Sequence, residues 1–188
     1  MRSLDLVAEI VLSQKIYGNS YKGKICEMYI TSVINVSNAF HYKYRKVSEL
    51  EMIGAISNSN TITIDDAVYF KKNKTPFKHT FNKDKTTLFV PESPNYPRFD
   101  FFIWDAKRQI LMGFQVTILD PFTDHTKMAE QPMWQTYCST QSATEFYWVV
   151  PKCCIGTNCT KYANDFIILF EDLESNFPVL RKLVFADE

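Results

Sequence analysis

The stretch Arg98 to Asp120, RFDFFIWDAKRQILMGFQVTILD, constrains the fold more than any other part of the chain. Phe99 to Trp104 and Gln109 to Leu119 are rich in aromatic and β-branched residues, and the polar run Asp105-Ala106-Lys107-Arg108 divides them. Two such runs around a short polar turn predict a β-hairpin. Each strand then carries one polar residue among apolar neighbours: Asp100 beside Phe99, Phe101 and Phe102, and Gln115 inside Met112-Gly113-Phe114-Gln115-Val116. An acid or an amide in such surroundings is costly unless it is exposed, paired or coordinating. Asp100 and Gln115 are expected on neighbouring strands with side chains on one face of the hairpin, and because side chains on a strand face recur every two residues, Phe102 and Thr117 then share it.

The hairpin sits in a chain long enough for one sizeable core. At 188 residues, with 46% hydrophobic, 15% aromatic and 22% charged residues, the composition is that of one packed domain and not of a disordered tail. Upstream, Leu4, Val7, Ala8, Ile10 and Val11 have the spacing of a short amphipathic helix that ends near Gly18-Asn19-Ser20. A linker helix over residues 1–20 and a folded domain over 21–188 is the division this suggests. A second helix starts near Tyr21 to Gly23, with Ile25, Met28, Tyr29, Val33 and Val36 as its buried stripe and Glu27 beside that stripe.

Ser57 to Asn60 reads as a polar turn, Thr61 to Ile64 as a strand edge, and Leu88-Phe89-Val90 as a short strand before the prolines at 91, 94 and 97. Asp124 to Ser139 suits a helix that Pro132 kinks or opens. Phe146 to Val150 and Phe166 to Phe170 are apolar runs expected to be buried strands, followed by a final helix or an extended tail. Strands interspersed with helices predict an α/β fold, a central mixed β-sheet flanked by helices.

Charge and motifs narrow the chemistry. The 21 basic residues balance the 21 acidic ones, so only a local patch could attract an anion. The best candidate, Lys71 to Lys85, holds six lysines, one histidine and one acid, and reads as a solvated loop or as a phosphate-binding patch. Five cysteines, three of them at 153, 154 and 159, give no even disulfide framework and suit a reducing compartment, nuclear or cytoplasmic. Scattered histidines and the lack of paired CxxC spacing argue against structural zinc. No leader pattern and no run of spanning length occur, so a soluble protein without a membrane partner is expected. P-loop, GxGxxG, GxSxG and HExxH patterns are absent, which removes support for nucleotide hydrolysis and serine-hydrolase chemistry.

Carboxylates at strand ends are what metal-dependent phosphodiester cleavage requires, since Mg²⁺ or Mn²⁺ needs hard oxygen ligands. At these residues the chain resembles the PD-(D/E)XK nuclease superfamily, specifically the nuclease-like domain shared by Crinkler effectors and retrotransposon-hot-spot proteins. Gly23-Lys24-Ile25-Cys26-Glu27 is similar to the first-helix glutamate motif, Asp100 to the strand aspartate, and Gln115-Val116-Thr117 to the QxT form of that branch. His125 follows at the spacing where the branch often has a histidine, and Glu145 to Pro151 resembles its aromatic strand ending in Val-Pro.

The resemblance spans roughly Gly23 to Phe170. It implies a restriction-endonuclease-like core, a metal site at a bend of the sheet made by Glu27, Asp100 and Gln115, nucleic acid as substrate or ligand, and other modules of a larger protein as neighbours. Thr117 stands where active members carry lysine, and Lys127 is the residue that could reach back in its place. Two readings stay open: a nuclease of reduced activity, and an inactive interaction module that keeps the fold. A purely structural reading also exists for each residue, with Asp100 starting a strand, Gln115 pairing with backbone, Glu27 exposed, His125 at a helix start, and the tryptophans in the core.

Overall fold

The computed structural model describes residues 19–50, 57–71, 81–92, 99–118, 143–152, 155, 165–173 and 177–180. The expected helices at Ser3 to Gln14 and Asp124 to Ser139, His125, Lys127, Trp134, residues 72–80 of the lysine-rich stretch and Cys153, Cys154 and Cys159 lie outside them.

The first described element is helix α1 (Asn19–Ser37). Cys26, Tyr29, Ile30, Val33 and Ile34 form its buried face, at the three- and four-residue spacing an amphipathic helix needs. The expected stripe was rotated by about one position: Tyr29 and Val33 belong to it, while Met28 and Val36 are 55% and 60% exposed. Asn38, at φ 51°, ends the helix in the left-handed region that asparagine tolerates better than most residues. The chain then turns directly into a strand.

Eight strands follow: β1 (Ala39–Lys46), β2 (Asn58–Thr63), β3 (Asp66–Phe70), β4 (Thr87–Pro91), β5 (Phe101–Asp105), β6 (Ile110–Val116), β7 (Thr144–Val150) and β8 (Phe166–Leu169). They form one mixed sheet in the order β2-β1-β8-β7-β6-β5-β4-β3. The β3–β4, β6–β7 and β7–β8 pairs are parallel and the others antiparallel. This is the α/β class with a mixed sheet, built on one long helix among the described residues. Two corrections accompany it: Asn58 to Asn60 extend β2 instead of forming a turn, and β1 and β3 had no counterpart in the expected order.

The sheet must curl. β2 and β3 are its two edges, yet only Ile64 and Asp65 lie between Thr63 and Asp66. Three residue steps span at most about 11 Å, so the edges come together. The Ile64 amide donates to Asn38 O at 2.9 Å and the Asp65 amide to Thr86 O at 2.9 Å, which links the β1 end of the sheet to the β4 end.

Alternation along the strands sorts the core into two clusters, one on each face. The α1 face holds Phe40, Tyr42, Ile62, Leu88, Val90, Phe101, Ile103, Met112, Phe114, Val116, Tyr147, Val149 and Ile168 with the buried side of α1. Across it runs a ladder of rings at matched register on four adjacent strands. Phe101 stacks on Phe114 at 4.6 Å, Phe114 on Tyr147 at 5.0 Å, and Tyr147 on Phe166 at 5.0 Å. The other face holds Phe70, Phe89, Phe99, Phe102, Trp104, Leu111, Phe146, Trp148, Val150, Ile167 and Leu169. Burial on both faces explains why β7 and β8 read as unbroken apolar runs.

Candidate functional site

The hairpin β5–β6 turns through Ala106 to Gln109, one residue later than expected. Asp105, the last residue of β5, receives the Arg108 amide on Oδ1 at 3.1 Å, and Gln109 closes the turn at φ 56°. Phe101 pairs with Phe114, so the next step places Asp100 across from Gln115 on the neighbouring strand. Asp100 itself sits at a bend just before β5, and its amide donates to Phe114 O at 2.9 Å. Its carboxylate accepts from the Val116 amide, Oδ2 to N 2.6 Å. The backbone of β6 therefore holds the acid at the end of the strand pair.

Helix α1 brings Glu27 to the same place. The helix enters beside the end of β6, where a Cβ on Gly23 would lie 3.9 Å from Ile118. One turn later Glu27 is buried, with 7% of its surface exposed, and not the exposed helix residue of the structural reading. The Glu27 and Asp100 carboxyl groups are neighbours whose charges act on each other, and Lys24, one turn before Glu27, makes an ion pair with Glu27. Two carboxyl groups brought together away from water disfavour double ionisation.

Burial raises the Glu27 carboxyl above the usual carboxylate range, against the opposing pull of Lys24. Burial raises Asp100 further, followed by the negative charge of Glu27, while the Val116 amide opposes the rise. The pair titrates as a unit that retains a proton longer than separate carboxylates do.

Gln115 occupies a related but different position. Alternation along β6 directs it to the face of Leu111, away from α1, and it pairs with Trp148 of β7. Its Oε1 is buried with no hydrogen-bond partner among the described residues. A buried amide oxygen without a partner is uncommon enough to call for a ligand, an ion or a water. Thr117, two residues on, donates its amide to Val149 O at 3.0 Å.

This arrangement passes one test for a divalent cation and strains another. Neighbouring carboxyls that hold on to their protons are hard oxygen donors from which a divalent cation displaces a proton, whereas the orphaned Gln115 oxygen, although opposite Asp100 in register, faces away from α1 and Glu27. Lys24 competes for Glu27, and the described residues contain no cluster of three or more His, Cys, Asp or Glu.

Lys24 carried no role in the sequence reading, although the i, i+3 spacing to Glu27 signalled the pair. A second polar network also escaped it. Arg108 donates to Glu145 at 2.5 Å, Tyr147 donates to the other Glu145 oxygen at 2.8 Å, and Asn60 donates to Tyr42 at 2.8 Å. Trp104 and Trp148 are core residues whose indole N–H groups donate to Asn82 O at 2.7 Å and Asp165 Oδ2 at 3.0 Å. Burial pushes Asp165 up to about 6 and the Cys26 thiol up to about 12, which makes Cys26 a packing residue and not a nucleophile at neutral pH. No described helix is long and apolar enough to cross a membrane. Comparison with protein-family models, with curated proteins and with solved structures returns no match.

Proposed function

We propose that the chain is a metal-dependent nuclease-like domain on a restriction-endonuclease-like core, of the Crinkler and retrotransposon-hot-spot type, acting on or binding nucleic acid. One observation carries this reading: a helix carboxylate, Glu27, and a strand-end carboxylate, Asp100, are brought together beside the chain bend that precedes β5 in a mixed sheet. Glu27 and Asp100 would hold Mg²⁺ or Mn²⁺, and the Gln115 carbonyl oxygen, which faces the other side of the sheet from Glu27, would join them only around the end of β6. When bound, the cation would supply Lewis-acid stabilisation of phosphate charge and a more acidic water.

The residues themselves do the rest. The Val116 amide fixes Asp100, and α1 carries Glu27 to it. Lys24, paired with Glu27, is a cation next to the site in a chain whose motif lysine is replaced by Thr117, and its charge would offset that of a phosphate there. Lys127, which lies outside the described residues, is the second candidate that the sequence offers for that charge.

The alternative, a catalytically inactive interaction module of a larger protein, is favoured by the same ion pair. With Lys24 on Glu27 and Asp100 raised towards its protonated form, the site is satisfied without a cation. Calorimetric Mn²⁺ and Mg²⁺ titration of the wild type and Asp100→Ala separates the two. The nuclease reading expects heat of binding in the wild type alone, and cleavage of DNA or RNA that is weak and faster with Mn²⁺, because a neutral amide replaces a carboxylate. Thr117→Lys should raise that rate and Lys127→Ala lower it. Absence of cation binding and of cleavage in every variant selects the interaction module.

A further inference from the structure

Next to Glu27 the curled sheet leaves a groove of about 410 Å³ between α1 and the β3–β4 edge. Lys24, Glu27 and Met28 line its helix wall, and Tyr69, Val90 and Glu92 line its strand wall. Its size lies within the roughly 300–1,000 Å³ of small-ligand sites. Its composition is unusual for this molecule. Phe40, Tyr42, Phe101, Phe114 and Tyr147 are buried in the ring-rich core, yet Tyr69 is 52% exposed and Met28 is 55% exposed, and both line the groove. Alternation explains how they arrive there, since Ala67 packs on the α1 face, and Tyr69, two residues on, projects to that same side beyond the core.

We propose that this groove takes one unpaired nucleotide next to the phosphate bound at the carboxylate pair, with its base laid on Tyr69 and Met28. The inference rests on the nuclease-like reading of that pair and adds the form of the substrate, a single strand. Three features support it. An exposed tyrosine and methionine offer the flat, polarisable surface on which any base stacks. Glu27 lines the groove and neighbours Asp100, so a ligand seated in the groove reaches the carboxylate pair at Glu27. Glu92 lies on the strand wall, its amide fixed to Phe70 O at 2.8 Å, and its charge disfavours a phosphate chain there. The groove thus suits a base better than a second backbone, which favours a single strand over a duplex.

Fluorescence anisotropy with a short labelled DNA oligonucleotide, single-stranded or annealed, in the presence of Ca²⁺ tests this, with Mn²⁺ calorimetry on the same proteins. The single strand is expected to bind at least about 10-fold tighter than the duplex. Tyr69→Ala should weaken single-strand binding about 10-fold while Tyr69→Phe retains it, the scale of one lost base–aromatic stack. Mn²⁺ binding should be unchanged in both variants. Equal binding of single strand and duplex, or Tyr69→Ala binding as tightly as wild type, overturns the groove inference while the cation site stands. Loss of single-strand binding in Tyr69→Ala without any Mn²⁺ binding in the wild type upholds the groove and sinks the metal reading. Mn²⁺ binding with no oligonucleotide binding at all overturns the groove together with the nucleic-acid reading.

Discussion

At the scale of single residues, the Glu27–Asp100 pair sets the molecule's most distinctive dependence on pH. Both carboxyls are raised in the folded state above their ordinary values of 4.5 and 3.8. For an acid raised in this way the folded state binds more protons than the unfolded one. The pair's contribution to stability is therefore greatest at low pH and declines as pH rises through the unfolded values towards the folded ones. A neutral mimic of the protonated acid should remove that decline. Asp100→Asn keeps an oxygen to accept from the Val116 amide and supplies an N–H for Glu27. At neutral pH without added metal, the expected outcome is a gain on the order of 1 kcal/mol, from relief of buried charge. In a chain of this size that is a rise in Tm of about 2–4 °C. The variant should also lose Mn²⁺ binding. Thermal melts across mildly acidic to neutral pH, with and without Mn²⁺, check both parts, and an unchanged or lower Tm at neutral pH would mean that the carboxyls are not charge-frustrated.

At the scale of elements, the junction between α1 and β1 has no loop to absorb strain. Asn38 alone, at φ 51°, turns the chain from helix to strand, and its carbonyl accepts the Ile64 amide at the sheet seam. Left-handed geometry costs an ordinary L-residue about 1–2 kcal/mol. Asn38→Ala should therefore lower stability by about 1 kcal/mol in denaturant titration, and Asn38→Gly should match or exceed the wild type. If Asn38→Ala is neutral, the turn does not depend on that conformation. Elements of this kind also mark what the sequence could and could not reveal. The hairpin around residues 106–109, β7, β8 and α1 were legible because long apolar runs and a polar turn leave few alternatives. β1 was not, because Ala39 to Lys46 carries His41, Lys43, Arg45 and Lys46 on a strand whose apolar face is mostly tyrosine and phenylalanine. β3 was missed because Asp66-Ala67-Val68-Tyr69-Phe70 pairs in parallel with β4, a partner that local pattern cannot name. Glu27 and Asp100 were legible as acids in costly surroundings. Their pairing was not, since it depends on how far α1 is rotated over the sheet, and the expected stripe misjudged that rotation.

At the scale of the whole molecule, the curl is what gives the site its walls: β3 stands next to α1 only because the sheet edges are drawn together. Asp65 fastens the seam from the β3 side. Its amide donates to Thr86 O at 2.9 Å while its Oδ2 accepts the Thr86 amide at 2.8 Å, so two backbone groups of the buried Thr86 are satisfied by one residue. Thr86 in turn receives the Ala106 amide on its hydroxyl at 3.2 Å, which ties the seam to the β5–β6 turn. Asp65→Ala keeps the backbone bond and removes the carboxylate, leaving the Thr86 amide without its partner, at a cost of about 1 kcal/mol. Because Asp65 lies outside the carboxylate pair, Mn²⁺ affinity should hold while the groove widens. The expected result is a lower denaturation midpoint, faster amide exchange at Thr86 and Thr87, and weaker capture of a single-stranded oligonucleotide at unchanged Mn²⁺ affinity. Faster exchange with unaltered oligonucleotide binding would show that the groove keeps its shape without the seam, and that the curl serves stability alone.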